Sequence, residues 1–202
     1  LEARTIQSLF HDATILTGSR ASESALKAAA APKLLHIATH GFFLQDAQTT
    51  ESAQTQLPNE NPLLRSGLAL AGANVRSTGN DDGILTALEA SGLNLWTTKL
   101  VTLSACDTGL GEVKSGEGVY GLRRAFVLAG AESLVMSLWP VSDYITREIM
   151  TRYYKNLKIG MGRGAALRRV QLEMLKRKDH QHPFFWASFI QSGDWANLDG
   201  QR

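Results

Sequence analysis

Short apolar segments alternate with amphipathic segments along most of the chain. The apolar segments predict six strands, at residues 14–17, 34–39, 68–71, 100–104, 133–138 and 186–190. In residues 100–104 and 133–138 consecutive positions are apolar, which is typical of strands covered on both faces of a sheet. The pattern therefore favours a sheet buried between two layers.

Between these segments, apolar residues recur at helical spacing. We predict helices over residues 22–31, over 84–90 with Asp82 as the cap, over 118–129, after a cap at Ser142, and around residues 167–175. Strands that alternate with helices indicate one α/β domain over residues 1–202 with a mostly parallel sheet.

Composition narrows the possible partners and compartment. The 202 residues carry 21 basic and 19 acidic side chains, and a net charge of +2 does not indicate binding to nucleic acid or a membrane. The single cysteine excludes a disulfide framework and fits a reducing, cytoplasmic location. We expect no cofactor and no metal. Because the chain starts at Leu1 and not at a methionine, we expect a fragment of a longer protein.

Two predicted strands end in reactive side chains. The segment 34–39 leads into His40 and Gly41, and the segment 100–104 leads into Cys106 and Asp107. The carboxyl ends of parallel strands meet in one crevice, where an imidazole can activate a thiol. The alternative is that the cysteine is a small buried hydrophobe and the histidine a satisfied polar group.

Acidic residues near the predicted crevice bear on specificity. A carboxylate in a pocket favours a basic substrate side chain, and Asp107 and Asp143 are both candidates. The alternatives are a helix cap or first-turn charge for Asp143 and a turn hydrogen bond for Asp107. Both interpretations stay open at this point.

Other motifs are weaker. Residues 116–121 match GxGxxG, but the preceding strand ends too early for a dinucleotide-binding turn. The long polar segment over residues 45–61 is expected to be a functional or disordered loop.

Several blocks together resemble the CHAT domain, a caspase-like module that often follows tetratricopeptide repeats in bacteria. The blocks are LHIATHGFF at residues 35–43, NPLLRSGLALAGA at 61–73, DGILTA at 82–87, LSACDTG at 103–109, GEGVYGLRR at 116–124, SLWPVSD at 137–143 and HPFFWA at 182–187. They occur in order and cover most of the chain.

The resemblance implies a caspase-like three-layer fold with a mostly parallel six-stranded sheet. It implies His40 as general acid and base, Cys106 as nucleophile, and the amides of Gly41 and Cys106 as oxyanion donors. It also implies a basic P1 residue bound by Asp143, with Asp107 as the second choice. The expected partners are a protein or peptide substrate and tetratricopeptide repeats elsewhere in the full-length chain.

Two functions remain open from the sequence. The first is a cysteine endopeptidase that cleaves after a basic residue. The second is a latent or non-catalytic caspase-like scaffold, an interaction module controlled by a repeat region that lies outside this chain.

Overall fold

The fold is that of a computed structural model, which describes residues 2–43, 62–75, 81–104, 106–107 and 117–201. The helices are α1 (Glu2–Gln7), α2 (Glu23–Lys27), α3 (Ala87–Ser91), α4 (Glu117–Leu128), α5 (Asp143–Lys158), α6 (Arg163–Leu175) and α7 (Pro183–Trp186). The strands are β1 (Leu34–Ile37), β2 (His40–Phe43), β3 (Ser66–Ala69), β4 (Ile84–Thr86), β5 (Leu100–Leu103), β6 (Cys106–Asp107), β7 (Ser133–Ser137) and β8 (Phe189–Gly193).

Within the residues that the structure describes, the strands form two four-stranded sheets. The first has the order β1-β5-β7-β8 and is mostly parallel, because only β8 runs antiparallel to its neighbour. The second has the order β4-β3-β2-β6, in which only β2 and β6 pair in parallel. The mixed α/β class is confirmed, whereas the expected single sheet of six strands is not confirmed.

Helices cover both faces of the first sheet. On β5, Val101 and Leu103 pack toward α3 and α4, where Phe126 is fully buried. Leu100 packs on the opposite side, in the apolar cluster of α1, α5 and α6 that contains the fully buried Val170. Alternate strand residues thus serve opposite cores, which explains why these strands are apolar at consecutive positions.

Several predicted elements differ from the structure. Residues 14–17 pair with no strand among the described residues and run as irregular chain, with Leu16 exposed. Residues 84–90, predicted as one helix, form strand β4 and then helix α3. Trp186 closes α7, so the last strand begins only at Phe189. Apolar runs this short do not distinguish a strand from a loop or a helical turn unless a pairing partner is known.

Within the described ranges, no helix is both long enough and apolar enough to span a membrane.

Candidate functional site

The predicted strands that lead to His40 and Cys106 are each interrupted just before the reactive residue. β1 ends at Ile37 and β2 begins at His40, while β5 ends at Leu103 and β6 begins at Cys106. The amide of Ser104 donates to the carbonyl of Ile37 over 2.9 Å, and this bond links the β5–β6 segment to the β1–β2 segment at the interruption. The Thr39 hydroxyl also donates to the carbonyl of Ala69 on β3.

The β1–β2 segment and the β5–β6 segment have the same register before and after the interruption of their strands. Leu34 lies opposite Leu100, and beyond the break His40 lies opposite Cys106, so the partner is 66 residues further along the chain in both cases. The structure therefore places His40 and Cys106 in register on neighbouring parallel strands. Such residues occupy the same face of a sheet, with backbones about 4.8 Å apart.

The same strand pairing sets the position of Gly41, the other residue of the predicted catalytic site. His40 is exposed at the start of β2, and Gly41 is buried in the strand between β3 and β6. Gly41 lies opposite Leu68 on one side and opposite Asp107 on the other. The sequence prediction that the strands carrying His40 and Cys106 are neighbours is therefore matched by the observed register.

The two acidic candidates lie on different elements. Asp143 is exposed and is the first residue of α5, directly after Ser142, whose hydroxyl accepts a hydrogen bond of 3.4 Å from the Ile145 amide. A carboxylate in this first turn stabilises the helix dipole. Asp107 lies in β6 beside Gly41. The polar segment 45–61 lies outside the described residues.

A chain of polar side chains lies under the sheet, just before the interruption. The His36 Nδ1 atom is 3.0 Å from the hydroxyl of Tyr154, which in turn donates to the Thr102 hydroxyl over 2.9 Å. The Glu2 Oε1 atom is 3.1 Å from His36 Nε2, and the Ser104 hydroxyl donates to Glu2 Oε2 over 3.3 Å. Burial raises the pKa of Tyr154 above its ordinary value, so the phenol remains a donor.

Sequence reasoning missed this polar chain. The available signal was His36, a polar residue inside an apolar strand, because a polar side chain on a covered face must find a partner. Its partners come from α1, α5 and β5, and no local spacing indicates them. Among the described residues, no group of three or more His, Cys, Asp or Glu side chains is arranged to hold a metal ion.

The layered structure defines an α/β domain with helices on both faces of the mostly parallel first sheet. The sequence profile of the CHAT domain matches residues 1–194, and the chain belongs to this family, which is related to caspase-like peptidases. The resemblance seen in the sequence is thereby confirmed.

Two relatives carry tetratricopeptide repeats by name. Tetratricopeptide repeat protein 28 of Homo sapiens is 33% identical over 116 residues, which are 57% of this chain and 5% of that protein. The Mus musculus protein of the same name is 32% identical over 116 residues, with the same coverage. The matched segment is thus a small part of either relative, and an association of this domain with such repeats is consistent with both.

Proposed function

We propose that the protein is a cysteine endopeptidase that uses His40 and Cys106. The observation that carries the proposal is the parallel register of these two residues at the start of β2 and β6. Family membership adds support, since the CHAT family is related to caspase-like peptidases. In caspase-like chemistry a histidine and a cysteine act on one peptide bond from neighbouring positions.

The proposed reaction has two half-reactions. His40 takes the thiol proton of Cys106, and the sulfur attacks the carbonyl carbon of the scissile bond. The amides of Gly41 and Cys106 stabilise the negative oxygen. His40 then gives its proton to the leaving amine as the C–N bond breaks. Water attacks the thioester and loses a proton to His40. As the C–S bond breaks, His40 returns this proton to the sulfur, which releases the acid and restores the thiol.

We propose a basic P1 residue bound by Asp143, with Asp107 as the second choice for the same role. Asp143 is exposed at the start of α5, beyond the carboxyl end of β7, and β7 is the neighbour of β5. A carboxylate at such an edge can form a charge-assisted hydrogen bond with an arginine or lysine side chain.

The relation between the two four-stranded sheets is also part of the proposal. We propose that the two four-stranded sheets correspond to one six-stranded caspase-like sheet, since the register between the β1–β2 and β5–β6 chains is unchanged at the interruption. We also propose that residues 1–202 form one peptidase domain that acts together with tetratricopeptide repeats.

The first test removes the reactive groups one at a time. Cys106→Ala and His40→Ala should each abolish cleavage of a peptide library, with His11→Ala, an exposed histidine in a turn, as the matched control. A Cys106→Ala protein that cleaves at the wild-type rate would exclude this mechanism. Absence of both cleavage and labelling of Cys106 by an electrophilic peptide would favour the interaction module.

The second test addresses specificity. In the active protein, Asp143→Asn should raise KM for peptides with arginine at P1 by about tenfold or more, because it removes the charge from a charge-assisted bond. Peptides with an uncharged P1 residue serve as the control and should be unaffected. Cleavage of the library only after acidic or apolar residues would contradict the proposed role.

A further inference from the structure

The carboxylate of Glu2 on α1 contacts both segments that lead to the proposed catalytic residues, the β1–β2 segment and the β5–β6 segment. Glu2 approaches His36 through Oε1 and Ser104 through Oε2, at 3.1 and 3.3 Å. His36 lies four residues before His40, and Ser104 lies two residues before Cys106. Glu2 therefore bridges the β1–β2 and β5–β6 segments close to the interruption of their strands.

The contact between Glu2 and His36 is sheltered from water. Their side chains are 16% and 12% exposed, respectively. Glu2 Oε1 and His36 Nε2 are both buried, and neither makes a well-aligned hydrogen bond with any residue that the structure describes. The two atoms lie within ion-pair distance of each other, 3.1 Å apart.

The second ring nitrogen of His36 is also occupied. Its Nδ1 atom is hydrogen-bonded to the hydroxyl of Tyr154, which also contacts Thr102. Thr102 lies directly opposite His36 in the parallel pairing of β1 and β5. The imidazole is thus held between α5 and α1, with Nε2 directed toward Glu2.

Helix α1 is anchored, so that Glu2 has a defined position. Ile6 is buried in the core of α5 and α6. The ring of Phe10 packs edge-on against Tyr154, with centroids 5.8 Å apart, and Lys158 Nζ donates to the carbonyl of Leu9 over 2.7 Å. These contacts come from the same face of the sheet as Glu2.

We propose that Glu2 is a positioning residue that fixes the spacing between the β1–β2 and β5–β6 segments just before His40 and Cys106. This inference rests on the proposed function, because it concerns the geometry of that same site. Glu2 acts through His36 and Ser104. If α1 shifts, both contacts are lost together, and the two reactive residues lose a shared support.

The experiment compares four variants of the full chain. Glu2→Ala removes both contacts, and Ser104→Ala removes one of them. Glu2→Gln is the conservative variant, because its amide oxygen can accept from the Ser104 hydroxyl as the carboxylate does, and its amide nitrogen can donate to His36 Nε2. Arg4→Ala, an exposed change on the same helix, controls for the stability of α1.

Two readouts separate positioning from chemistry. Amide hydrogen exchange over peptides covering residues 36–43 and 100–107 should accelerate at least fivefold in Glu2→Ala and less in Ser104→Ala. Glu2→Gln and Arg4→Ala should remain within about twofold of the wild type. The rate of alkylation of Cys106 by iodoacetamide, followed by intact mass, should fall about tenfold near pH 7 in Glu2→Ala, since small misplacements of reacting groups are costly.

The outcomes distinguish the two proposals. Unchanged hydrogen exchange in both Glu2→Ala and Ser104→Ala would overturn the role of Glu2, whatever the reactivity of the thiol. Faster exchange in Arg4→Ala equal to that in Glu2→Ala would overturn it as well. If the wild-type thiol reacts no faster than free cysteine while exchange still depends on Glu2, the proposed peptidase fails and the positioning role stands.

Discussion

Two adjacent tyrosines show how the same residue type can have different energetic roles. Tyr153 and Tyr154 are both fully buried on α5, and burial raises the pKa of each phenol. The Tyr154 hydroxyl contacts His36 and Thr102, whereas the Tyr153 hydroxyl has no hydrogen-bond partner among the described residues. Only one of the two hydroxyls supports the strands before the proposed site.

This contrast gives a paired prediction. Tyr154→Phe should lower the free energy of unfolding by about 1–3 kcal/mol, because it leaves buried polar atoms of His36 and Thr102 without a partner. Tyr153→Phe removes a buried hydroxyl that is already unpaired and should be neutral or slightly stabilising. Urea denaturation of both variants measures the difference. Equal losses would mean that the polar chain does not contribute to stability.

Residue-level reasoning from the sequence identified part of the candidate site. His40 and Cys106 stand out because each follows an apolar strand, and parallel strands bring such positions together. Glu2 and Tyr154 carry no such signal. Their importance depends on how α1 and α5 pack on the sheet, which involves residues far apart in the chain.

At the scale of elements, the segment from Asp82 to Ser91 shows that a cap-like hydrogen bond does not by itself mark the start of a helix. The Ile84 amide donates to Asp82 Oδ1 over 2.8 Å, as a capping residue would allow. The next residues nevertheless pair with β3 as strand β4, and α3 starts only after Thr86. Thr86 and Glu89 form the capping box of this helix.

Glu89 also joins α3 to α2. Its carboxylate accepts from the Thr86 amide over 3.0 Å, from the Thr86 hydroxyl over 2.8 Å and from Lys27 Nζ over 3.1 Å. Burial alone would raise the pKa of Glu89, but these hydrogen bonds outweigh it and hold the pKa below its ordinary value. The ionised form is thus favoured in the folded state.

A depressed pKa makes stability depend on pH in a defined direction. The contribution of Glu89 is present above the pKa of the unfolded chain, about 4.3 for a glutamate, and is lost as pH falls through the lower folded value. We expect Glu89→Gln to be less stable than the wild type at pH 7 and to lose less further stability below pH ~5. Denaturation at several pH values tests this. Parallel pH profiles for the two proteins would contradict it.

At the scale of the whole molecule, a buried arginine joins several elements. Arg163, the first residue of α6, is fully buried. Its guanidinium donates to the carbonyl of Ala196 over 2.9 Å, to the carbonyl of Lys99 and to the Ser133 hydroxyl over 3.3 Å, and lies 3.0 Å from the carboxylate of Asp194. It thereby connects α6 with the chain at the start of β5 and β7 and beyond the end of β8.

Loss of this arginine should affect the whole fold. Arg163→Met is expected to cost about 3–5 kcal/mol in the free energy of unfolding, because it removes several charge-assisted hydrogen bonds made by one fully buried guanidinium. Arg169→Met, on the exposed side of the same helix in an ion pair with Glu173, should cost about 1 kcal/mol or less. Thermal and urea unfolding of both proteins provide the comparison. A small effect at Arg163 would show that water replaces the guanidinium.

Alternation of strands and helices predicted the layered architecture, because strands apolar on both faces need helices on both sides. The division into two sheets was not predictable in this way. It depends on short interruptions that leave the hydrophobic pattern nearly unchanged, such as the two residues between Ile37 and His40. The role of Arg163 was equally hidden, because an arginine at the start of a helix is usually solvated.

The two interruptions lie side by side at one level of the paired chains, since the register on both sides is identical. They therefore mark one line across the strands, between the last residue pair of the first sheet and the first pair of the second. A bend about an axis along this line changes the angle between the two sheets. It leaves the lateral separation of the backbones at His40 and Cys106 unaltered, because both residues are the first beyond the axis. A change of tilt would thus turn the pair relative to the helical layers while keeping its internal spacing.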